Sequence, residues 1–167
     1  MTKSFEALAE AICAECGGKC CIGAHPPLSP GRIATLQGRG VPASAFECAG
    51  YTRMKARDDG LCIMCNGGRC RIHAIKPETC MAGPFTFDVT DHTLRIFLKR
   101  ESLCPLVPYL KMDEDAYKNQ FQMAVRSLTA LVRSLPAPEL EVISNIPEPE
   151  TDLVAEIPLD LEEAGTP

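Results

Sequence analysis

The sequence predicts a small α+β domain, irregular and rich in cysteine. Three observations predict this class: ten cysteines that fall in clusters, one pair of alternating apolar segments typical of a β-hairpin, and apolar stripes at helical spacing. The 167 residues are enough for one hydrophobic core. Aromatic residues make up only 5% of them and none is tryptophan, so large aromatic side chains cannot supply most of the stability of that core. We expect a first helix, a cysteine-rich irregular region, a hairpin and a packing helix, in that order.

The first helix is predicted over residues 4–13. Apolar residues recur there at helical spacing, and Ser4 is suited to cap the helix start. Gly17 and Gly18 predict its end, because glycine readily adopts the left-handed conformation that terminates helices. The helix would therefore carry Cys13 and Cys16 close to its C-terminal end.

A second, short helix is indicated by Ser29-Pro30, since serine caps helices and proline fits the first helical position. Its body would be residues 31–37, and Gly38 would stop it. Residues 41–61 are typical of a loop with at most one helical turn. Residues 61–84 are dense in Cys, Gly and Pro, which predicts turns rather than regular structure.

The C-terminal half gives clearer patterns. Residues 85–89 and 94–98 alternate around a polar tetrapeptide, which predicts a β-hairpin. A longer helix is predicted over residues 113–135, since acidic residues open it and one apolar stripe follows. We interpret this stripe as core packing rather than as a cofactor site.

These patterns predict a division into residues 1–112, a cysteine-cluster domain; residues 113–135, its packing helix; and residues 136–167, an extended, partly docked arm. The arm is rich in proline and holds nine acidic side chains and no basic one. It therefore suggests a protein partner. The remaining charges form no dense basic stripe with aromatic residues, which argues against nucleic-acid binding.

The expected location is the cytoplasm. Glu6 and Glu10 interrupt the N-terminal residues where a signal peptide needs an apolar stretch, and no apolar run is long enough to span a membrane. A reducing cytosol keeps thiols free, so clustered cysteines there favour metal binding or catalysis over disulfides. Intracellular disulfides of the kind found in hyperthermophiles stay open as an alternative.

The cysteines form two boxes and a late member. The first box is Cys13, Cys16, Cys20 and Cys21; the second is Cys62, Cys65, Cys70 and Cys80; Cys104 follows. Two cysteines separated by two residues can place both sulfurs on one ion. Structural zinc takes four ligands, so the thiols outnumber those that one zinc ion needs. Their number is compatible with two zinc sites, with one iron–sulfur cluster and spare thiols, or with a polynuclear centre. The usual ferredoxin spacing is absent.

Redox chemistry and disulfide formation are alternative roles for these cysteines. A CxxC pair can act as a redox couple when a helix N-terminus activates one thiol, but Cys13 and Cys16 lie where a helix is predicted to end. Adjacent Cys20 and Cys21 could form a disulfide switch. Among the histidines, His25 is the best candidate ligand. We expect nearby Lys19, Arg69, Arg71 and Lys76 to offset thiolate charge.

The two boxes resemble those of the YkgJ-type cysteine-cluster family, a family of proposed zinc- or iron-chelating domains. The matching segments are Cys13, Cys16, Cys20 and Cys21, then Gly60-Leu61-Cys62, Cys70-Arg71-Ile72-His73, Lys76-Pro77-Glu78-Thr79-Cys80, Gly83-Pro84-Phe85 and Cys104. The departures from the family pattern are Lys76, His73 and Met81, where arginine, an aromatic hydroxyl and arginine are usual.

The resemblance implies eight metal ligands: Cys13, Cys16, Cys20, Cys21, Cys62, Cys70, Cys80 and Cys104. Cys48 and Cys65 are additional to the pattern and are left outside the set. We expect a zinc ion, an iron ion or an iron–sulfur cluster in a structural or electron-transferring centre whose binding is coupled to folding. The alternative is an enzyme or accessory subunit of a redox or protein-modification system, because one relative lies within a flagellin lysine methylase.

Overall fold

The computed structural model describes residues 4–159 and confirms the α+β class. Its helices are α1 (Phe5–Cys16), α2 (Pro30–Gly38), α3 (Glu78–Ala82), α4 (Val107–Met112), α5 (Glu114–Ser134) and α6 (Ala137–Ser144). Its strands are β1 (Phe46–Cys48), β2 (Thr52–Met54), β3 (Cys65–Asn66), β4 (Arg69–Cys70), β5 (Phe85–Thr90), β6 (Thr93–Lys99) and β7 (Thr151–Pro158). In the described residues they pair antiparallel as β1–β2, β3–β4 and β5–β6–β7.

Helices α1 and α2 begin at the predicted caps. The Ser4 hydroxyl accepts a hydrogen bond from the Ala7 amide at 3.4 Å, and the Ser29 hydroxyl accepts one from the Arg32 amide at 3.2 Å. Each bond satisfies an amide that has no partner within its own helix. Gly17 follows α1 with a φ of 71°, as predicted for a left-handed helix end.

The predicted hairpin is confirmed as β5–β6. Asp91 and His92 form its two-residue turn with φ values of 49° and 57°, the positive values that match the twist of a tight hairpin. Where an extended arm is predicted, the chain instead forms α6 and then β7, which pairs along β6. Apolar residues of this segment are thereby packed against the core, and residues 160–167 of the predicted arm lie outside the described residues.

The middle of the chain holds regular structure that the sequence analysis did not predict. A 3-10 turn at Ala43–Ala45 agrees with the predicted single helical turn, but the β1–β2 hairpin follows it, and the region predicted as turns contains the β3–β4 hairpin and α3. Strands of two or three residues are too short to show an alternating pattern, so their pairing depends on tertiary contacts.

The apolar side chains form two buried clusters in residues 4–159. The larger lies between the β5–β6–β7 sheet and α5; its fully buried members include Phe85, Leu94, Ile96, Leu128 and Leu131. The smaller surrounds the second cysteine box and includes Leu28, Leu36, Met54, Cys62 and Cys65. Because the predicted stripe of α5 lies in the larger cluster, its interpretation as core packing is confirmed.

None of the helices in residues 4–159 has the length and apolar character that crossing a bilayer requires.

Replacing Leu128 by alanine tests the larger cluster. Its side chain is fully buried on α5, so Leu128→Ala should lower the free energy of unfolding by about 2–5 kcal/mol through lost burial and an unfilled cavity. Met112→Ala is the control, because Met112 is 84% exposed and its truncation should change stability by less than about 0.5 kcal/mol. Urea unfolding measures both values, and equal effects would contradict this core assignment.

Candidate metal centre

Four separate segments carry the cysteines that the sequence analysis proposes as ligands. Cys13 and Cys16 lie in the last turn of α1, and Cys20 and Cys21 follow in a 3-10 turn at Lys19–Cys21. Cys62 lies before β3, and Cys70 lies on β4. Cys80 lies on α3, and Cys104 lies just before α4. All ten cysteines are free thiols.

Two diglycine loops bring the two boxes into contact. Gly17-Gly18, after α1, lies directly against Gly67-Gly68, which forms the β3–β4 turn. A methyl group at Gly68 would stand only 3.1 Å from the Gly17 Cα, and all four glycines have positive φ values. The close approach therefore depends on the missing side chain at Gly68, whereas a methyl group at Gly17 or Gly67 would enter open space.

Backbone hydrogen bonds align the boxes further. The Cys62 amide donates to the Cys21 carbonyl at 2.9 Å, and the Gly23 amide donates to the Gly60 carbonyl at 2.8 Å. These bonds place the strand-like segment after the first box antiparallel to the segment that enters the second box. Cys21 and Cys62 are consequently neighbours although forty residues of chain separate them.

The second box is a tight knuckle. The Cys65 amide donates to the Cys62 carbonyl at 2.8 Å, and the Cys62 sulfur accepts a hydrogen bond from the Met64 amide. The Arg57 guanidinium donates to the Cys65 carbonyl at 2.7 Å and also forms an ion pair with Asp59. Amide donors aimed at a sulfur stabilise the thiolate form, which is the form that binds metals.

Contacts from α2 and α5 fix the segment that carries Cys80. The Gln120 side chain, on α5, donates to the carbonyls of Met81 and Gly83 at 2.9 and 2.7 Å. Glu78, at the start of α3, is buried and accepts hydrogen bonds from Ser29 and Arg32, each at 3.3 Å. The position of Cys80 is therefore set by helices outside the cysteine-rich region.

One group of thiols lies at the end of α1. Burial raises the pKa of Cys13, and the nearby thiols of Cys20, Cys104 and Cys16 raise it further. Burial likewise raises the pKa of Cys104, with smaller contributions from Cys20 and Cys16, although a hydrogen bond from the Leu106 amide opposes them. These mutual effects show that the four thiols are close enough to repel one another as thiolates.

A second group surrounds the knuckle. Burial raises the pKa of Cys80 to about 12, with further contributions from the thiols of Cys62, Cys70 and Cys20. Burial also raises the pKa of Cys62, and Cys70 and Cys65 add to it. Cys80 as a whole nonetheless keeps part of its surface exposed.

Cys20 and Cys21 join the two groups. A hydrogen bond between their thiols lowers the pKa of Cys20, whose thiolate accepts it, and raises that of Cys21, whose proton is held. The Cys21 thiol also contacts that of Cys65. Neighbouring thiols among the eight predicted residues and Cys65 thus influence one another, whereas Cys48 is exposed at the end of β1, outside both groups.

Cys65 lies among these thiols, although the sequence analysis leaves it outside the predicted ligand set. Its thiol is 2% exposed and lies among the other thiols. The CxxC spacing of Cys62 and Cys65 indicates a ligand, but the family pattern of eight cysteines does not include Cys65.

Cations lie beside the thiols. Lys76, which the sequence analysis singled out, lowers the pKa values of Cys13, Cys20 and Cys80. Lys99, on β6, does the same for Cys20 and Cys104 and was not predicted. Several thiolates near one another repel, so these ammonium groups offset part of the charge that a metal centre would gather.

Within residues 4–159, no three cysteine, histidine or acidic side chains converge closely enough to hold a metal ion. The Cys21 thiol instead contacts those of Cys20 and Cys65. The donors nevertheless fit zinc or iron in kind and number, since these metals take thiolate ligands and four suffice for one ion. Binding would then require the cysteine side chains to reorient so that their sulfur atoms point toward a shared ion.

His25 is held through its backbone. Its carbonyl accepts a hydrogen bond from the Tyr51 hydroxyl at 3.1 Å. Its Nδ1 atom is buried and has no hydrogen-bond partner among the described residues. His25 stays outside the predicted ligand set, and the set of eight cysteines stays a prediction.

Clustered thiols, amide donors to sulfur and a knuckle turn are the features of a cysteine-rich metal-chelating domain. A family model matches residues 12–121, and the chain belongs to that family: CxxCxxCC, described as "Putative zinc- or iron-chelating domain". This confirms the family resemblance and extends it beyond Cys104. No curated protein and no solved structure matches the chain significantly.

Adding one methyl group to the diglycine contact tests its importance. Gly68→Ala should destabilise the fold by about 1–3 kcal/mol more than Gly67→Ala does, because its methyl group would meet the Gly17 backbone. Gly67→Ala is a matched control: its φ is also positive, but its methyl group would enter open space. Urea unfolding measures the difference, and equal stability of the two variants would contradict the contact.

Metal affinity should rise with pH. Cys13, Cys62, Cys80 and Cys104 have raised pKa values, so they are protonated at neutral pH and must release protons when a metal binds. Each proton released should weaken binding by about tenfold per unit of falling pH. Competition titrations with a chelator between pH 6 and 9 measure this slope, and a pH-independent affinity would contradict the thiolate site.

Proposed function

We propose that this protein binds zinc or iron through its clustered thiolates, in a centre that is structural or transfers electrons. The observation that carries the proposal is the meeting of thiols from α1, the knuckle, α3 and the segment before α4. The family to which the chain belongs supports the same metals. The proposed ligands are the eight cysteines predicted from the sequence.

A structural role follows from where the thiols lie. The smaller apolar cluster, around the knuckle, counts Cys62 and Cys65 among its buried members, and its other buried residues are aliphatic side chains and methionines rather than aromatic rings. Because this cluster is smaller than the one beside α5, it gains less stability from apolar burial, and ligands that cross-link α1, the knuckle and α3 would add to that stability. Metal binding would then be coupled to folding of this part of the chain.

An electron-transfer role follows from the groups around the sulfurs. The Met64 and Leu106 amides donate to sulfur atoms, and Lys76 and Lys99 place positive charge nearby. In iron–sulfur proteins such hydrogen bonds and charges raise the reduction potential of the cluster. An iron–sulfur centre would therefore be tuned by residues that this chain already places there.

A second candidate function is an enzyme, or an accessory subunit of a redox or protein-modification system. An open cleft of about 320 Å³ favours it, because Cys16 is among the residues that line it. Ile12, Pro105 and Tyr109 supply apolar surface, and Glu15 and Lys19 supply charge. A molecule bound there would lie beside the proposed centre, and a coordination position left open to solvent would support this role.

The proposal includes a reducing, cytoplasmic location, since free thiols persist there. A protein partner at the acidic C-terminal segment is part of it as well. β7 forms one edge of its sheet, and Leu153 and Val154 are partly exposed on it.

Metal analysis of anaerobically purified protein tests the proposal. We expect a stoichiometric transition metal: a colourless zinc protein would favour the structural role, and a brown protein would favour an iron–sulfur centre. Cys80→Ser should lower the metal content, whereas Cys48→Ser should not; serine is close to cysteine in size, so neither variant is left with a large cavity. A folded wild-type chain that holds no transition metal and resists chelators would refute the proposal.

A further inference from the structure

We infer that Cys65 is a ninth metal ligand, which shares an ion with Cys70 across the β3–β4 hairpin. This inference rests on the proposed metal-binding function and assigns a ligand beyond its eight cysteines. The alternative is that Cys65 is an ordinary buried cysteine that fills space in the smaller apolar cluster.

The register of the hairpin carries the argument. Cys65 and Cys70 are directly opposed on the antiparallel strands β3 and β4. Side chains opposed in this way project to the same face, with Cβ atoms about 4.5–5.5 Å apart. This spacing lets two thiolates reach one tetrahedral ion, whose bonds to sulfur are about 2.3 Å long.

The β3–β4 hairpin is also too small to be stable without further contacts. Each of its strands has two residues, and its turn is Gly67-Gly68, both with positive φ. Hairpins this short are not stable alone, and glycine adds to the entropy that folding must overcome. An ion held by Cys65 on one strand and Cys70 on the other would close the hairpin.

The surroundings of Cys65 point to the first box. Its Sγ lies 3.5 Å from the position that a Cβ would take at Gly18, so the sulfur faces the diglycine loop between Cys16 and Cys20. Its amide bonds to the Cys62 carbonyl, which sets the CxxC turn. The sulfur is therefore close to the backbone that carries Cys20 and Cys21, in addition to its own knuckle.

Cys65→Ser compared with Cys48→Ser tests the inference, because both cysteines lie outside the eight and only Cys65 belongs to the cluster. Loading each full chain with zinc and timing its extraction by a chelator should show at least about tenfold faster loss from Cys65→Ser, since even outer-shell changes reach that size. Cys48→Ser should match the wild type. Equal extraction from both variants would overturn the inference but leave the proposed function intact, whereas a wild type without metal would overturn both.

A measurement on the wild type covers the case in which Cys65→Ser does not fold. In protein loaded with cadmium-113, a proton–cadmium correlation from the Cys65 β-protons would establish the bond. Correlations from the other cysteines without one from Cys65 would overturn the inference. A Cys65–Cys70 disulfide in the native protein would also overturn it.

Discussion

The close approach of the Gly17-Gly18 loop to the Gly67-Gly68 turn is the constraint on which the rest of the site depends. It places the end of α1 against the β3–β4 hairpin with no side chain between them. The antiparallel bond from the Cys62 amide to the Cys21 carbonyl then fixes how the two boxes face each other. Together, the diglycine contact and these backbone hydrogen bonds bring the first box to the second, although the chain between them folds into α2 and the β1–β2 hairpin.

The second element of the site comes from outside the cysteine-rich region. α5 is anchored in the larger core, and Gln120 on it holds the carbonyls of Met81 and Gly83 beside Cys80. A well-packed scaffold thus positions one side of the site, and the two diglycine loops position the other. Thiols of neighbouring segments lie near one another, but no three of the described donors are gathered for an ion. This arrangement suits a centre that the metal itself completes on binding.

The sequence was most informative where a pattern extends over several turns or strands. α1, α2, α5 and the β5–β6 hairpin follow from caps and apolar periodicity, which are local properties. β7 was missed because its pairing depends on the free edge of β6, which is far away in the chain. The glycines of the first box were recognised as a helix end, but their contact with Gly68 depends on a loop fifty residues away. Cys65 was excluded for a similar reason: its spacing fits a ligand, and only the structure shows which thiols surround it.

X-ray absorption at the metal edge of the anaerobically isolated protein tests the central claim most directly, because it reports which atoms bind the metal. A first shell of sulfur at about 2.3 Å is expected, with four sulfur atoms around zinc or a mixture of thiolate and sulfide around iron. A first shell dominated by oxygen or nitrogen would contradict the claim that these thiols converge on a shared metal.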